Sequence, residues 1–147
     1  MKIVIDSSVL VALLDTRDHW RTRALALRQA MLDASLTPMY FDCVTAKAVS
    51  AAARRLHEKG RGAEVAALLD NLYNLSPQQT ITWILPDVPR LYPEVLALMR
   101  ASSGELNFND ALIALACRER GIPAIASFAD FDQIAWLKRV AKPEDVS

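Results

Sequence analysis

The chain has 147 residues, and its 17 Lys plus Arg balance its 17 Asp plus Glu, so the formal net charge is zero. Apolar residues make up 52% and charged residues 23%, which is a globular composition. We expect a single domain over residues 1–147 with a substantial core. The zero net charge excludes the overall basic field of many nucleic-acid-binding proteins, so such a partner has to be held locally.

The cysteine pattern and the N-terminal sequence both favour a cytoplasmic protein. Cys43 and Cys117 show neither a CxxC motif nor Cys/His spacing, so we expect reduced thiols in the core. The N-terminus has one Lys before an apolar stretch and lacks a signal region. No apolar run reaches the roughly 20 residues of a membrane span, so we expect no contact with a membrane.

The first predicted element is a strand from Lys2 to Ile5, because three β-branched residues follow one another there. Asp6 stands between this strand and a helical pattern that reaches Leu14. Ligands gather at the carboxyl ends of strands in open α/β sheets, so Asp6 is a candidate site residue. Asp is also a favoured N-cap, and capping of this helix is an equally good explanation.

Strands and helices alternate along the rest of the chain. Strands are predicted at 37–41, 80–85 and 124–127, and helices at 19–34, 42–59, 63–75, 92–101, 110–120 and 131–137. This alternation predicts an α/β domain with a central, mostly parallel sheet and helices on both faces.

The most basic stretch lies at the tip of the helical hairpin formed by residues 42–75. Its members are Arg54, Arg55, His57, Lys59 and Arg61. A solvated helix end is the preferred interpretation, and contact with an RNA backbone is the alternative.

A second acid repeats the situation of Asp6. Asp110 lies in the first turn of a very apolar helix, where Asn107 could cap the helix with Asp110 at the N3 position. Asp130 and Asp132 follow the last predicted strand. Carboxylates that gather at one sheet edge repel each other unless a cation neutralises them. Oxygen ligands without His or Cys favour Mg²⁺ or Mn²⁺, and such an ion supports phosphodiester hydrolysis by an activated water.

Four segments carry a family resemblance: IVIDSSVLVALL at the start, the DHW segment with the alanines after it, LNFNDALIALACRERGIP, and ASFADFDQI. With these segments the sequence resembles the PIN-domain ribonucleases, in particular the VapC-type toxins of prokaryotic toxin–antitoxin pairs. The resemblance implies a PIN-like fold and a cytoplasmic, Mg²⁺- or Mn²⁺-dependent endoribonuclease. It also implies an RNA substrate, a homodimer and a cognate antitoxin protein. Asp6 and Asp110 match the family's first and third acids and are the implied metal ligands.

The sequence departs from the family pattern at two acids. The second acid of the family is a Glu in a pattern like V-x-x-E, and Lys47 stands at that place. The fourth acid normally follows a Ser or Thr by two residues, which is Ala129 when counted from Ser127. Asp130, one residue later, is therefore taken as the third catalytic acid, and Asp132 as a more peripheral one.

Lys47 has two interpretations. Its side chain could extend to solvent from the border of a buried helix face. We prefer the hypothesis that its ammonium reaches Asp6 and Asp110 and takes over the neutralising role of the metal, which would impair catalysis. Ser7 could bind a phosphate or merely shape the turn. The competing function is a catalytically inactive PIN-fold protein that binds RNA or a protein partner, and a receiver-like regulatory domain suits the pattern of acids less well.

Overall fold

The computed structural model describes residues 1–129 and 131–146. These contain five strands: β1 (Lys2–Ile5), β2 (Thr37–Phe41), β3 (Ile81–Thr82), β4 (Ala124–Ala126) and β5 (Lys138–Val140). They also contain six α-helices: α1 (Ser7–Leu14), α2 (Arg21–Asp33), α3 (Asp42–Glu58), α4 (Val65–Leu75), α5 (Val88–Ala101) and α6 (Phe108–Arg120). None of the helices in this part of the chain has both the length and the apolarity needed to cross a bilayer.

The strands form one sheet in the order β3-β2-β1-β4-β5, and every described pairing is parallel. Helices α1 to α4 pack on one another, whereas α5 and α6 form a separate pair. Right-handed crossovers place the two groups on opposite faces of the sheet, as the sequence predicts. From β1 the chain continues to β2 and β3 on one side of the sheet, whereas β4 and β5 lie on the other side of β1. In open α/β sheets, ligands bind in the crevice at the carboxyl ends of two such neighbouring strands.

Two apolar runs of the sequence, in β1 and in α6, are buried in the core. Ile3, Val4 and Ile5 of β1 are at most 1% exposed, because the central strand is covered on both faces. In α6, every residue from Ala111 to Cys117 is buried. Gly121 ends this helix with a φ of 63°, a left-handed conformation that favours glycine.

Three predicted elements differ from the structure. The strand expected at 80–85 is only Ile81–Thr82, and a short 3₁₀ turn follows it at Leu85–Asp87. The helix expected at 131–137 is a series of turns, and it leads into the unpredicted edge strand β5. Helix α5 begins at Val88 rather than at residue 92. Pro89 lies in its first turn, where a proline is tolerated, and Pro93 lies within the helix.

The short β3 has a tertiary cause. The buried carboxylate of Asp42 accepts hydrogen bonds from the backbone N–H groups of Cys43 and Ile84 through Oδ1, both at 3.0 Å, and of Leu85 through Oδ2, also at 3.0 Å. These bonds turn the chain away from the sheet immediately after β3. Like Asp6, Asp42 directly follows a strand. Its carboxylate oxygens accept backbone hydrogen bonds, so its role is structural.

Asp42→Ala should therefore destabilise the protein strongly. Three backbone N–H groups would lose their acceptor, so we expect the free energy of unfolding to fall by about 3–5 kcal/mol. This corresponds to a melting temperature lower by roughly 10 °C, measured by circular dichroism. Asp70→Ala, at an exposed position of α4, is the matched control. Equal melting temperatures for the two variants would contradict the role given to Asp42.

Both cysteines are free and buried. Burial raises the pKa of the Cys43 thiol to about 11, with a further contribution from the charge of Asp42. Burial also raises the pKa of Cys117 to about 12. Both thiols therefore stay protonated at neutral pH and have the low reactivity expected of core cysteines.

Candidate functional site

Asp6 occupies the N-cap position of α1 without capping it through its side chain. Its backbone carbonyl accepts from the Leu10 N–H at 3.0 Å, and its own N–H donates to the Ala126 carbonyl at 2.9 Å. The carboxylate makes no capping hydrogen bond. The capping interpretation therefore does not account for this acid, which is 4% exposed and turned toward the crevice between β1 and β4.

Two serine hydroxyls hold the Asp6 carboxylate. Ser127 Oγ donates to Asp6 Oδ2 at 2.8 Å, and Ser8 Oγ donates to the same oxygen at 3.0 Å. The hydroxyls are fixed in turn, because Ser8 accepts from the Phe128 N–H at 3.0 Å and Ser127 from the Ala129 N–H at 2.9 Å. Asp6 Oδ1 accepts no hydrogen bond from any described residue and is left available to a ligand.

Ser8 and Ser127, which bind Asp6, are not among the site residues that the sequence predicts. The sequence predicts Ser7 instead, which lines the neighbouring cleft but forms no side-chain hydrogen bond with the residues described. The strand register indicates the position of Ser127. Ile5 lies opposite Ala126, so the residues that follow them, Asp6 and Ser127, are also neighbours. Recognising it required knowing that β1 and β4 are neighbours.

Asp110 combines a capping role in its backbone with an unused carboxylate. Its N–H donates to Asn107 Oδ1 at 2.8 Å, which confirms Asn107 as the N-cap and Asp110 as N3. Its half-buried carboxylate accepts no hydrogen bond from the described residues. Burial raises the pKa of Asp110, and the negative charge of Asp6 raises it further, while Lys47 acts in the opposite direction. The two acids are thus close enough to repel each other.

Lys47 does not make the direct contact that we expected. It is exposed on α3 between the buried Val44 and Ala48, and it forms no ion pair with Asp6, Asp110 or any other described acid. Its ammonium extends to solvent, as the alternative interpretation holds. Its charge nevertheless favours the ionised form of Asp110, so an electrostatic influence on the site remains.

A cleft of about 250 Å³ adjoins Asp6 through Ser7 and Ser8, and its lining includes neither Asp6 nor Asp110. Ser7 and Ser8 form the wall next to Asp6, and Lys47 lies on the α3 side. Val11, Asp18, Trp20, Ala51 and Arg55 complete the lining. The cleft therefore brings the cationic side chain of Lys47 and the aromatic ring of Trp20 close to Asp6.

The structure describes only one of the two acids that follow β4. Asp130 lies outside the described residues. Asp132 is exposed and is bound by Arg139 through Nε at 3.0 Å and a terminal nitrogen at 3.1 Å, which lowers the pKa of its carboxyl group. Within residues 1–129 and 131–146, no three His, Cys, Asp or Glu side chains group together as a metal site.

Asp6 and Asp110 alone still suit a hard cation. Both present carboxylate oxygens that the described part of the protein does not use, and their mutual repulsion would be relieved by a positive ion. Mg²⁺ is commonly bound by one or two carboxylates and keeps several waters or substrate oxygens as its other ligands. The donor set therefore fits Mg²⁺ or the similar Mn²⁺.

The basic hairpin tip is largely paired with acids. Arg54 binds Glu58 at 3.0 Å, Arg55 binds Asp18 at 3.0 Å, and Arg61 binds Glu64. These pairs agree with the preferred interpretation of a solvated helix end and leave little charge there for an RNA backbone.

Comparisons with known proteins agree with this architecture. The sequence matches the PIN domain family over residues 3–137. The crystal structure of the VapC20 toxin of Mycobacterium tuberculosis, described as cleaving the sarcin–ricin loop, superposes with a TM-score of 0.61. The two chains are 22% identical, and the match covers 88% of this chain and 91% of that one. No curated protein sequence matches the chain.

Proposed function

Because the chain belongs to the PIN-domain family, whose members are nucleases, we propose that it is a Mg²⁺- or Mn²⁺-dependent endoribonuclease of the VapC toxin type, impaired by Lys47. One observation carries the proposal. Asp6 is near enough for its negative charge to raise the pKa of Asp110, and Asp6 Oδ1 and the Asp110 carboxylate accept no hydrogen bond from a described residue. Paired carboxylates of this kind serve metal-assisted phosphodiester hydrolysis.

In this proposal Asp6 and Asp110 hold the cation. When bound, the ion supplies an activated water and stabilises the charge that develops on the phosphoryl oxygens. Ser8 and Ser127 fix the orientation of Asp6 through its Oδ2. We assign Asp130 to orienting the attacking water and Ser7 to a hydrogen bond with the substrate phosphate. The products would carry a 3′-hydroxyl and a 5′-phosphate.

Lys47 would weaken the site in two ways. A carboxylate is missing where the family pattern has its second acid, so the cation has fewer oxygen ligands. The lysine also contributes a positive charge that already acts on Asp110 and that would repel a divalent ion. An active scaffold with reduced metal affinity is the expected result.

The alternative is a catalytically inactive PIN-fold protein that binds RNA or a protein partner. Lys47 and Ala129 at two acid positions favour it, as does the lack of a third acid beside Asp6 and Asp110 among the described residues. Binding without cleavage is the outcome that distinguishes it from the enzyme.

We further propose a cytoplasmic homodimer with a cognate antitoxin. Large apolar side chains that remain exposed on three helices support such partners: Leu25 and Leu32 on α2, Leu69 and Tyr73 on α4, and Tyr92 and Leu96 on α5. A second cleft of about 230 Å³ lies between α2 and α4, and it suits a partner segment that carries both apolar and polar side chains. Its lining consists of Leu13, Leu25 and Leu75 together with Arg21, Arg28, Asn71 and Asn74.

A cleavage assay on a pool of short single-stranded RNAs tests the proposal. With Mn²⁺ we expect slow cleavage that yields 5′-phosphate ends and stops when EDTA is added. Asp6→Asn should reduce the rate at least about 100-fold, because it removes one of two metal ligands. Asp70→Asn is the control at an exposed position. Cleavage that survives EDTA or Asp6→Asn would contradict the assignment.

A further inference from the structure

Trp20 lies immediately before α2 and keeps 45% of its surface exposed. Its indole contributes to the wall of the 250 Å³ cleft that also contains Ser7, Ser8 and Lys47. A tryptophan normally stabilises a fold through burial of its large ring. Trp20 lacks much of that contribution because its ring is exposed in the cleft that adjoins Asp6, where it is available to a ligand.

Neighbouring side chains hold this ring in place. The Arg23 guanidinium lies 4.9 Å from the centre of the Trp20 ring and 4.6 Å from that of Phe128. The two rings are themselves 5.6 Å apart and tilted by 33°. Arg23 is anchored by its Nε, which donates to the Ala141 carbonyl at 3.1 Å. The exposed aromatic surface is therefore preorganised, which lowers the entropy cost of binding against it.

The aromatic pair is also connected to the acids. The Phe128 N–H donates to Ser8 Oγ at 3.0 Å, and Ser8 donates to Asp6 at 3.0 Å. A ligand that rests on Trp20 therefore has its adjoining part next to Asp6. Lys47 lines the same cleft and forms no ion pair with the described residues, so its charge is available to a phosphate.

We propose that Trp20 is a stacking platform for a nucleobase of the RNA. The proposal rests on the proposed function and adds a residue that binds the substrate. A base stacks on an aromatic ring only when it is released from its neighbours, which single-stranded loops and ends permit and a duplex does not. Stacking of this kind tolerates any base, because every base has a π face. In this arrangement Lys47 contacts the backbone phosphate that joins the stacked nucleotide to its neighbour.

The test measures binding in EDTA, where cleavage does not interfere. The probe is a short single-stranded RNA that contains 2-aminopurine, whose fluorescence is quenched by stacking, and its affinity is obtained by anisotropy with an end label. Trp20→Leu should weaken binding about 5- to 100-fold and relieve the quenching. Trp20→Phe keeps a π face and should stay within about 3-fold of the parent protein. Trp83→Leu is the matched control, since Trp83 is 56% exposed and lies outside the lining of the cleft.

Each outcome bears on one proposal or the other. Unchanged affinity and unchanged quenching in a folded Trp20→Leu variant would overturn the platform, as would equal, Trp20-independent binding of a duplex of the same sequence or no RNA binding at all. If Trp20→Leu fails to fold, Trp20→Gln replaces it, since the position is 45% exposed, and unchanged quenching in that variant would overturn the platform. Trp20-dependent quenching without any cleavage in Mn²⁺ would support the platform and contradict the nuclease.

Discussion

Lys47→Glu should increase Mn²⁺-dependent RNA cleavage by about 100-fold over the parent chain. The substitution restores an acid at the family's second position and removes the positive charge beside Asp110. Even at the dielectric constant of water, reversing a unit charge about 6 Å from a divalent ion changes its binding free energy by roughly 3 kcal/mol, or about 100-fold in affinity. The rate gain is expected wherever the metal is below saturation.

Metal binding provides a readout that is independent of activity. Added Mn²⁺ should raise the melting temperature of Lys47→Glu clearly more than that of the parent, because an ion that binds only the folded state stabilises it. Lys47→Gln should fall between the two, since it removes charge without adding a ligand. Lys59→Glu, at the exposed end of α3, makes the same charge reversal away from the site and should change nothing.

The outcomes separate the two proposed functions. A Lys47→Glu variant that binds Mn²⁺ tightly and still does not cut RNA would favour the inactive, binding protein. Tight Mn²⁺ binding by the chain with Lys47 would instead contradict the idea that the lysine opposes the ion.

Asp110→Asn in the Lys47→Glu background should abolish the restored cleavage, with a loss of at least about 100-fold, and yet increase stability at neutral pH. The loss of activity follows from removing one of the metal ligands. The stability gain follows because burial and the negative charge of Asp6 both disfavour the ionised Asp110 carboxylate. Without added metal, the amide removes both of these costs.

The pH dependence of this effect has a definite sign. Burial and the Asp6 charge raise the pKa of Asp110 above its ordinary value of 3.8. The folded state therefore holds a proton that the unfolded state releases, and stability falls as pH rises through the interval between these pKa values. The advantage of Asp110→Asn should disappear below that interval and be complete above it. Urea denaturation at acidic and neutral pH in EDTA measures the difference, and a less stable amide variant at neutral pH would contradict the repulsion.

Sequence reasoning was most successful where local patterns coincide with burial. The contiguous β-branched residues of β1 predicted the bounds of that strand correctly. The predicted bounds of β2, Thr37–Phe41, also agree with the structure. The Asn107 cap and the apolar run of α6 placed Asp110 in a first helical turn, which the structure confirms. The position of Asp6 was also predictable, because a strand must end before the polar residues that interrupt it.

The errors arose where distant contacts decide the structure. β3 stops after two residues because Asp42 captures the Ile84 and Leu85 N–H groups, which lie more than 40 residues further along the chain. β5 carries Lys138 and Arg139, and such polar edge strands are recognisable mainly by their partner. Ser127 is linked to Asp6 only through the pairing of β1 with β4. Lys47 was expected to contact the acids, but its side chain extends into the solvent.

The central position of β1 has a consequence for the order in which the protein can become active. β1 is synthesised before the other four strands of the sheet, yet one of its two neighbours, β4, is made only after α6. The hydroxyl of Ser127 that holds Asp6 is 121 residues away along the chain, and Asp110 precedes it by only one helix and a strand. A nascent chain that ends before α6 has its first acid but neither the second acid nor the orienting serine. A site that combines Asp6 with Asp110 and Ser127 can therefore form only after β4 has been synthesised and has joined the sheet.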